Sequence, residues 1–314
     1  MEKLIKSLHH VTATVNDAQE DLDFYASLLG LRLVKRTVNF DNHNVYHFYY
    51  GDAAGTPGSI MTTFPYKGMG VPQGVRGAGQ IGVTSFSVPA DSMDYWRTRL
   101  STHQVPIVGE GFRFGEEFIA FRDPSGLGIE LVGSPNDRRE PWSSESIGPN
   151  IAIRGVHSVT MVIASPAETL RFMGEVLGFE IVGEAEDRTR VAVNGDRAGH
   201  LIEIFHGSDA PPARNGLGTV HHVALAISDP AEQLRVRQEL VKLGLKVTEV
   251  LDRQYFRSIY FREPGGVLFE IATIPPGFTV DEDLAHLGTA LKLPPWEEPN
   301  RSGIEASLPP VVLK

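Results

Sequence analysis

Two histidine pairs, His9-His10 and His221-His222, each open a segment of alternating apolar residues, and Glu270 sits in a segment of the form apolar-Glu-apolar. Two imidazoles and one carboxylate with open coordination positions make the facial triad of non-haem Fe(II) oxygenases. The chain contains no cysteine. That excludes disulfides, iron–sulfur clusters, thiolate zinc sites and cysteine nucleophiles together, so any metal must be held by imidazole and carboxylate. A single histidine at a strand start is more often a core or surface residue than a ligand. The choice among the 11 histidines therefore depends on which segments fold against one another.

The elements that must position these residues are repeated. Phe121-Arg-Asp-Pro-Ser-Gly-Leu-Gly-Ile-Glu130-Leu and Phe261-Arg-Glu-Pro-Gly-Gly-Val-Leu-Phe-Glu270-Ile nearly superimpose, each reading as strand, Pro/Gly turn and strand. Upstream of them lie alternating strands at Ile81–Val88 and His221–Ile227, followed by amphipathic helices at Ser92–His103 and Pro230–Leu243. Two further copies begin with strands His9–Val15 and His157–Ile163. Helices Gln19–Leu29 and Ala167–Leu177 follow, capped by Gly30 and Gly178, and the closing strands are Ser59–Phe64 and His200–Phe205. The fold class expected is α+β, with four βαβββ modules at 8–64, 79–134, 154–206 and 219–274, in paired, cup-shaped, mostly antiparallel sheets. Residues 1–134 and 151–275 form two halves joined by a linker at 135–150, and 276–314 reads as an extended C-terminal tail.

One module cannot close a sheet, whereas two can curve into a cup with inward-facing side chains. Aligning the first strands places His10, Gly82, Ser158 and His222 at one position. Aligning the last strands places Thr62, Glu130, Glu203 and Glu270 at another. Modules 1 and 4 together supply His10, His222 and Glu270, with Thr62 too weak a ligand for a fourth place. Modules 2 and 3 supply no imidazole, modules 3 and 4 supply one, and modules 1 and 2 offer only His10 and Glu130. The metal ligands expected are His10, His222 and Glu270. His157 matches His9 and His221 in register and reads as a buried, hydrogen-bonded structural histidine. Glu130 and Glu203 read as relics of the duplicated strand. His43, His47, His103, His200, His206 and His286 default to the surface or to local hydrogen bonds.

A net charge of −10 argues against a nucleic-acid surface, which needs clustered Lys and Arg. No 18-residue apolar run is present and the start has no signal-peptide stretch, so no membrane span is expected and a cytoplasmic location is the default.

Beyond register, particular motifs are recognisable: Ser7-Leu-His-His-Val-Thr12, Val34-Lys-Arg-Thr37, Tyr46-His-Phe-Tyr-Tyr50, Gly55-Thr-Pro-Gly58, Met61-Thr-Thr-Phe-Pro65, then His221-His222, Arg253, Tyr260, Pro264-Gly-Gly266 and Glu270. With the four-module layout, they make the chain resemble the vicinal oxygen chelate superfamily of glyoxalases and type I extradiol dioxygenases, most closely the hydroquinone ring-cleaving dioxygenases. The resemblance implies Fe(II), with Mn(II) as the alternative, on His10, His222 and Glu270. It places His9, Thr12, His221, Arg253 and Tyr260 around the metal as catalytic residues. The partners it implies are a small aromatic diphenol and O₂, and a homo-oligomer is expected. Rival readings on the same fold are a glyoxalase-like isomerase or lyase, which usually uses two carboxylates, a metal-free binding protein, and a catechol dioxygenase using the cup of modules 3 and 4.

Overall fold

In the computed structural model, which describes residues 4–144 and 146–313, each repeat forms one strand, one helix and three more strands. Module 1 contains β1 (Ser7–Val15), α1 (Ala18–Leu22), β2 (Arg32–Asn39), β3 (Asn42–Gly51) and β4 (Ile60–Pro65). Module 2 contains β5 (Gln80–Val88), α2 (Met93–Thr102), β6 (Gly109–Arg113), β7 (Glu116–Arg122) and β8 (Gly128–Gly133). Module 3 contains β9 (Gly155–Ile163), α3 (Pro166–Glu175), β10 (Glu180–Ala185), β11 (Arg188–Ala192) and β12 (Leu201–His206). Module 4 contains β13 (Thr219–Ile227), α4 (Pro230–Lys242), β14 (Leu251–Asp252), β15 (Arg257–Arg262) and β16 (Leu268–Thr273).

Modules 1 and 4 share one eight-stranded sheet, ordered β14-β15-β16-β13-β1-β4-β3-β2, and modules 2 and 3 share the other, ordered β10-β11-β12-β9-β5-β8-β7-β6. Each half of the chain thus gives one module to each sheet. Neighbours run antiparallel except where the first strand of a module meets its last. Modules 3 and 4 lie in different sheets, so the cup imagined for a catechol enzyme does not form.

The seams β1–β13 and β5–β9 carry matching β-bulges. On β1 the pairs Leu8↔Leu225 and His10↔Ala224 leave His9 as the extra residue, and Thr12↔His222 and Ala13↔Val220 leave His221 extra on β13. On the other seam Gly82 and His157 are the extra residues. This corrects the alignment of module 2: Gly82 matches His9, and Val83, rather than Gly82, stands at the position of His10. The bulge has a structural purpose, since one added residue re-aims its neighbours. Leu8, Val11, Ala13 and Val15 all enter the hydrophobic core, while His10, Thr12 and Thr14 face the cup.

The helix expected over Gln19–Leu29 is α-helical only to Leu22 and then widens into π turns over Asp23–Leu28, with the Leu29 amide bonding the Phe24 carbonyl at 2.9 Å. The widened turn buries both Phe24 and Tyr25, and Tyr25 Oη reaches Asp123 of module 2 at 3.3 Å. Nearby, buried Asp21 accepts hydrogen bonds from Tyr50 Oη at 2.7 Å and Thr63 Oγ1 at 2.5 Å. Burial nonetheless raises its carboxyl to about 8, and that of Asp123 to about 7. The folded chain then holds a proton at Asp21 that the unfolded chain releases, so the contribution of Asp21 to stability falls as pH rises from about 4 to about 8 and levels off beyond. Asp21→Asn, which keeps an acceptor for both hydroxyls, should flatten that slope by several kcal/mol, at about 1.4 kcal/mol for each pH unit between the unfolded and folded values. Urea titrations of both proteins at about pH 5 and about pH 8 test this, and equal slopes would refute it.

The tail is more ordered than the extended path expected. It forms short 3₁₀ turns and a helix, α5 (Arg301–Ser307). A fully buried ammonium explains its docking. Lys35 is 0% exposed and is paired with Asp281 at 2.6 Å and with Glu282, because a charge taken out of water needs partners. Phe278 of the same segment packs on Tyr49 and Tyr255 behind the cup.

Candidate metal centre

The bulges bring three donor atoms to one point. His10 Nε2 and His222 Nε2 are 3.3 Å apart, and Glu270 Oε2 lies 3.3 Å from the first and 2.8 Å from the second. All three residues are buried. Ligand atoms about 2.0–2.2 Å from a first-row metal and at right angles to one another stand about 3 Å apart, so the spacing matches three cis positions on one ion. Although close to both imidazoles, Glu270 Oε2 makes no aligned hydrogen bond. It is a buried carboxylate oxygen aimed at the same point as the two nitrogens. Among the described residues, this is the one group of three imidazole or carboxylate donors lying within 4.8 Å of one another.

The remaining atoms of these side chains are fixed by neighbours. Ser258 Oγ donates to Glu270 Oε1. His9 Nδ1 meets His10 Nδ1 at 2.9 Å, and His221 Nδ1 meets His222 Nδ1 at 2.8 Å. Burial and the adjacent imidazole push His9 and His221 down to about 3. Both are therefore neutral, and in the tautomer with Nδ1 bare each can accept an Nδ1–H from the next ring, an arrangement that turns the lone pair of the inner Nε2 toward the centre.

A cavity of about 410 Å³ opens over these donors. Thr12, His221, Arg253 and Tyr260 line it with the three donors, while His9 sits behind, against the Phe256 ring at 5.0 Å. Arg253 Nε donates to Tyr260 Oη at 3.3 Å, and its two terminal nitrogens donate to Asp41 at 3.2 and 3.0 Å. Burial raises the Tyr260 hydroxyl well above its usual range, so it stays protonated.

Three residues at this site escape reasoning from sequence. Ser258 carries no signal by residue type. Asp41 lies in an unremarkable turn. His47, expected at the surface or in local hydrogen bonds, does make one, to Thr62, but also lines the cavity, with its ring 4.0 Å from Tyr49 and 4.2 Å from Phe64. Register is the signal that could have found it, because His47 and Ser258 both stand two residues before the tyrosine that pairs with the last strand of their module.

The second cup is closed by guanidinium. Glu203 is contacted by Arg190 at 2.8 Å, Arg188 at 3.0 Å and Arg113 at 2.8 Å, and Arg113 also reaches Glu130 at 2.6 Å. His157 is buried, with Nδ1 on Ser158 at 3.0 Å and Nε2 on Glu116 at 3.1 Å.

Comparison with known proteins follows the same division into halves. The family model described as Glyoxalase/Bleomycin resistance protein/Dioxygenase superfamily matches residues 7–131 and 155–271. A Bacillus subtilis (strain 168) protein named "Putative ring-cleaving dioxygenase MhqO" is 43% identical, covering 99% of this chain and 98% of its own length. The chlorohydroquinone/hydroquinone 1,2-dioxygenase of Sphingobium indicum is 35% identical, with 94% and 93% covered. A solved structure from Bacillus subtilis subsp. subtilis strain 168 superimposes with a TM-score of 0.94 at 42% identity, covering 99% of both chains. Glyoxalase I from Zea mays shares the fold at 15% identity, with a TM-score of 0.63 over 85% of this chain and 92% of that one. With four modules in two curled sheets and a family match over both halves, the chain belongs to the glyoxalase/bleomycin resistance protein/dioxygenase superfamily.

Proposed function

We propose that the protein is an Fe(II)-dependent dioxygenase that opens the ring of a para-dihydroxy aromatic compound, with His10, His222 and Glu270 as the metal ligands. The observation that carries this reading is the convergence of two imidazole nitrogens and one unspent carboxylate oxygen, with a hydroxyl, Thr62, where a fourth ligand would stand. Glyoxalase-type isomerisation usually employs a second carboxylate there, and of the relatives one is named a putative ring-cleaving dioxygenase and another a chlorohydroquinone/hydroquinone 1,2-dioxygenase. A ferrous ion held there would supply electron transfer from a bound phenolate to O₂, using coordination positions that the protein leaves open.

The chain's own residues then have separable tasks. His9 and His221 keep the ligand rings oriented. The aromatic wall around Phe256 and Tyr49 excludes water and holds a flat ring. Since Tyr260 Oη accepts from Arg253 Nε, its own proton is free to point at a substrate oxygen, making it a donor rather than a base. Arg253 keeps its charge beside that hydroxyl and stabilises anionic oxygen developing in the pocket. His221 and Thr12 supply the other polar contacts. The reaction adds both atoms of O₂ and breaks the bond between the hydroxyl-bearing carbon and its neighbour.

Protein loaded anaerobically with Fe(II) and offered hydroquinone in an oxygen electrode should consume one O₂ per ring. The product should be heavier by two oxygen atoms. Retention of iron without O₂ uptake from any para- or ortho-diphenol would overturn the proposal, as would failure to retain iron.

A further inference from the structure

We propose that His47 and Thr62 are positioning residues that, through Thr12, present an oriented hydroxyl to an oxygen of the bound substrate, across the β1–β13 seam from Glu270. This rests on the proposed function above and extends it to two residues with no role assigned so far.

Thr62 lies beside Thr12 on β4 as Glu270 lies beside Ala224 on β16, and Thr12 and Ala224 are each two residues past an inner histidine. Tyr49 pairs with Thr62 as Tyr260 pairs with Glu270. Two residues before each tyrosine stand His47 and Ser258. Ser258 bonds the carboxylate ligand. At the matching place His47 Nε2 bonds Thr62 Oγ1 at 2.8 Å. Module 1 has kept the supporting contact and replaced the ligand by a hydroxyl.

Thr62 Oγ1 also bonds Thr12 Oγ1 at 2.9 Å. Both threonines are fully buried, and Thr12 lines the cavity that holds the donors. The imidazole is held between the Tyr49 and Phe64 rings, so the chain starts from a fixed group.

Each threonine hydroxyl has one hydrogen to give. With the hydrogen on His47 Nε2, the imidazole donates to Thr62, Thr62 donates to Thr12, and the hydrogen of Thr12 is left for the cavity. With the hydrogen on Nδ1 instead, both bonds reverse, and Thr12 offers lone pairs to the cavity. The same three residues can therefore donate to a phenolate or accept from a phenol without placing a charge in the pocket. Burial, with His10, His222 and Arg253 nearby, keeps His47 well below its usual range and hence neutral. The relay orients an oxygen and takes no proton from it.

The test compares wild type with Thr62→Val, which keeps shape and loses the hydroxyl, Thr62→Ser, which restores it, and His47→Leu, which cuts the other end. Each is loaded anaerobically with Fe(II) and assayed for iron, and its affinity for hydroquinone is measured by calorimetry without O₂. Thr62→Val and His47→Leu should retain wild-type iron yet bind hydroquinone about tenfold or more weakly, the effect of losing an oriented hydrogen bond in a dry site. Thr62→Ser should lie within about threefold of wild type. The same ordering should appear in KM more than in kcat. Unchanged affinity in Thr62→Val, or no rescue by serine, overturns the relay alone. A wild-type protein without iron or O₂ uptake overturns the functional reading, and the relay with it. Should Thr62→Val fail to fold, His47→Leu decides between the same two outcomes.

Discussion

Glu270→Gln should release the metal while leaving the fold in place. Glutamine fills the same space and can still accept from Ser258, but it removes the one anionic donor from a site otherwise made of two neutral imidazoles. Loss of an orienting partner outside the ligand set typically weakens a metal site by about 10–100-fold, and loss of the charged ligand itself should exceed that. Iron retained after anaerobic loading and desalting should fall to a small fraction of wild type, with O₂ uptake falling alongside. The metal-free variant should unfold within about 1 kcal/mol of metal-free wild type, because one hydrogen bond is exchanged for another. A Glu270→Gln protein with full iron and full turnover would sink the ligand assignment.

Glu203→Gln, the same change at the matching position of the other sheet, should do the reverse. Glu203 is 0% exposed and faces three guanidinium groups, from Arg113, Arg188 and Arg190. Removing one charge from such a cluster strands its partners in the interior, which typically costs about 3–5 kcal/mol. That is a large share of the stability of an ordinary domain. Urea denaturation should show the loss directly. Iron content and hydroquinone turnover of the folded fraction should match wild type, since nothing in this cup belongs to the donor set. Unaltered stability would mean that the arginines find other partners; reduced iron would mean that the two sheets are coupled.

That two equivalent glutamates should behave so differently bears on what can be read from a sequence. The modules are legible because Phe121–Leu131 and Phe261–Ile271 repeat nearly residue for residue, and His10, His222 and Glu270 stand out as the set with two imidazoles and one carboxylate. Bulges leave no such trace. At β5 no imidazole marks a face, so alternation alone suits Gly82 as well as Val83, and only the observed pairing of Ser85 with Ser158 and Glu130 separates them. His47 and Ser258 are similar: their types are ordinary, and their importance comes from what stands beside them on the next strand. Arg188 and Arg190 resemble surface cations until β11 places them against β12. The docking of the tail depends on Lys35, whose burial is set by chain segments some 246 residues away.

The pairing of the first module with the last has a consequence for synthesis on the ribosome. Modules 2 and 3 are consecutive, so their shared sheet can close as soon as β12 emerges. By contrast, β1 can pair with β4 early but has an open edge until β13 arrives, and His10 and His222 are separated by 212 positions. At about 5–20 residues per second, that edge waits on the order of 10–40 seconds. No nascent chain shorter than Glu270 can assemble the donor set, so a metal bound there as proposed could be captured only after Glu270 has emerged. Until then the unpaired side of β1 is the surface most open to wrong strands and the one a chaperone would have to cover.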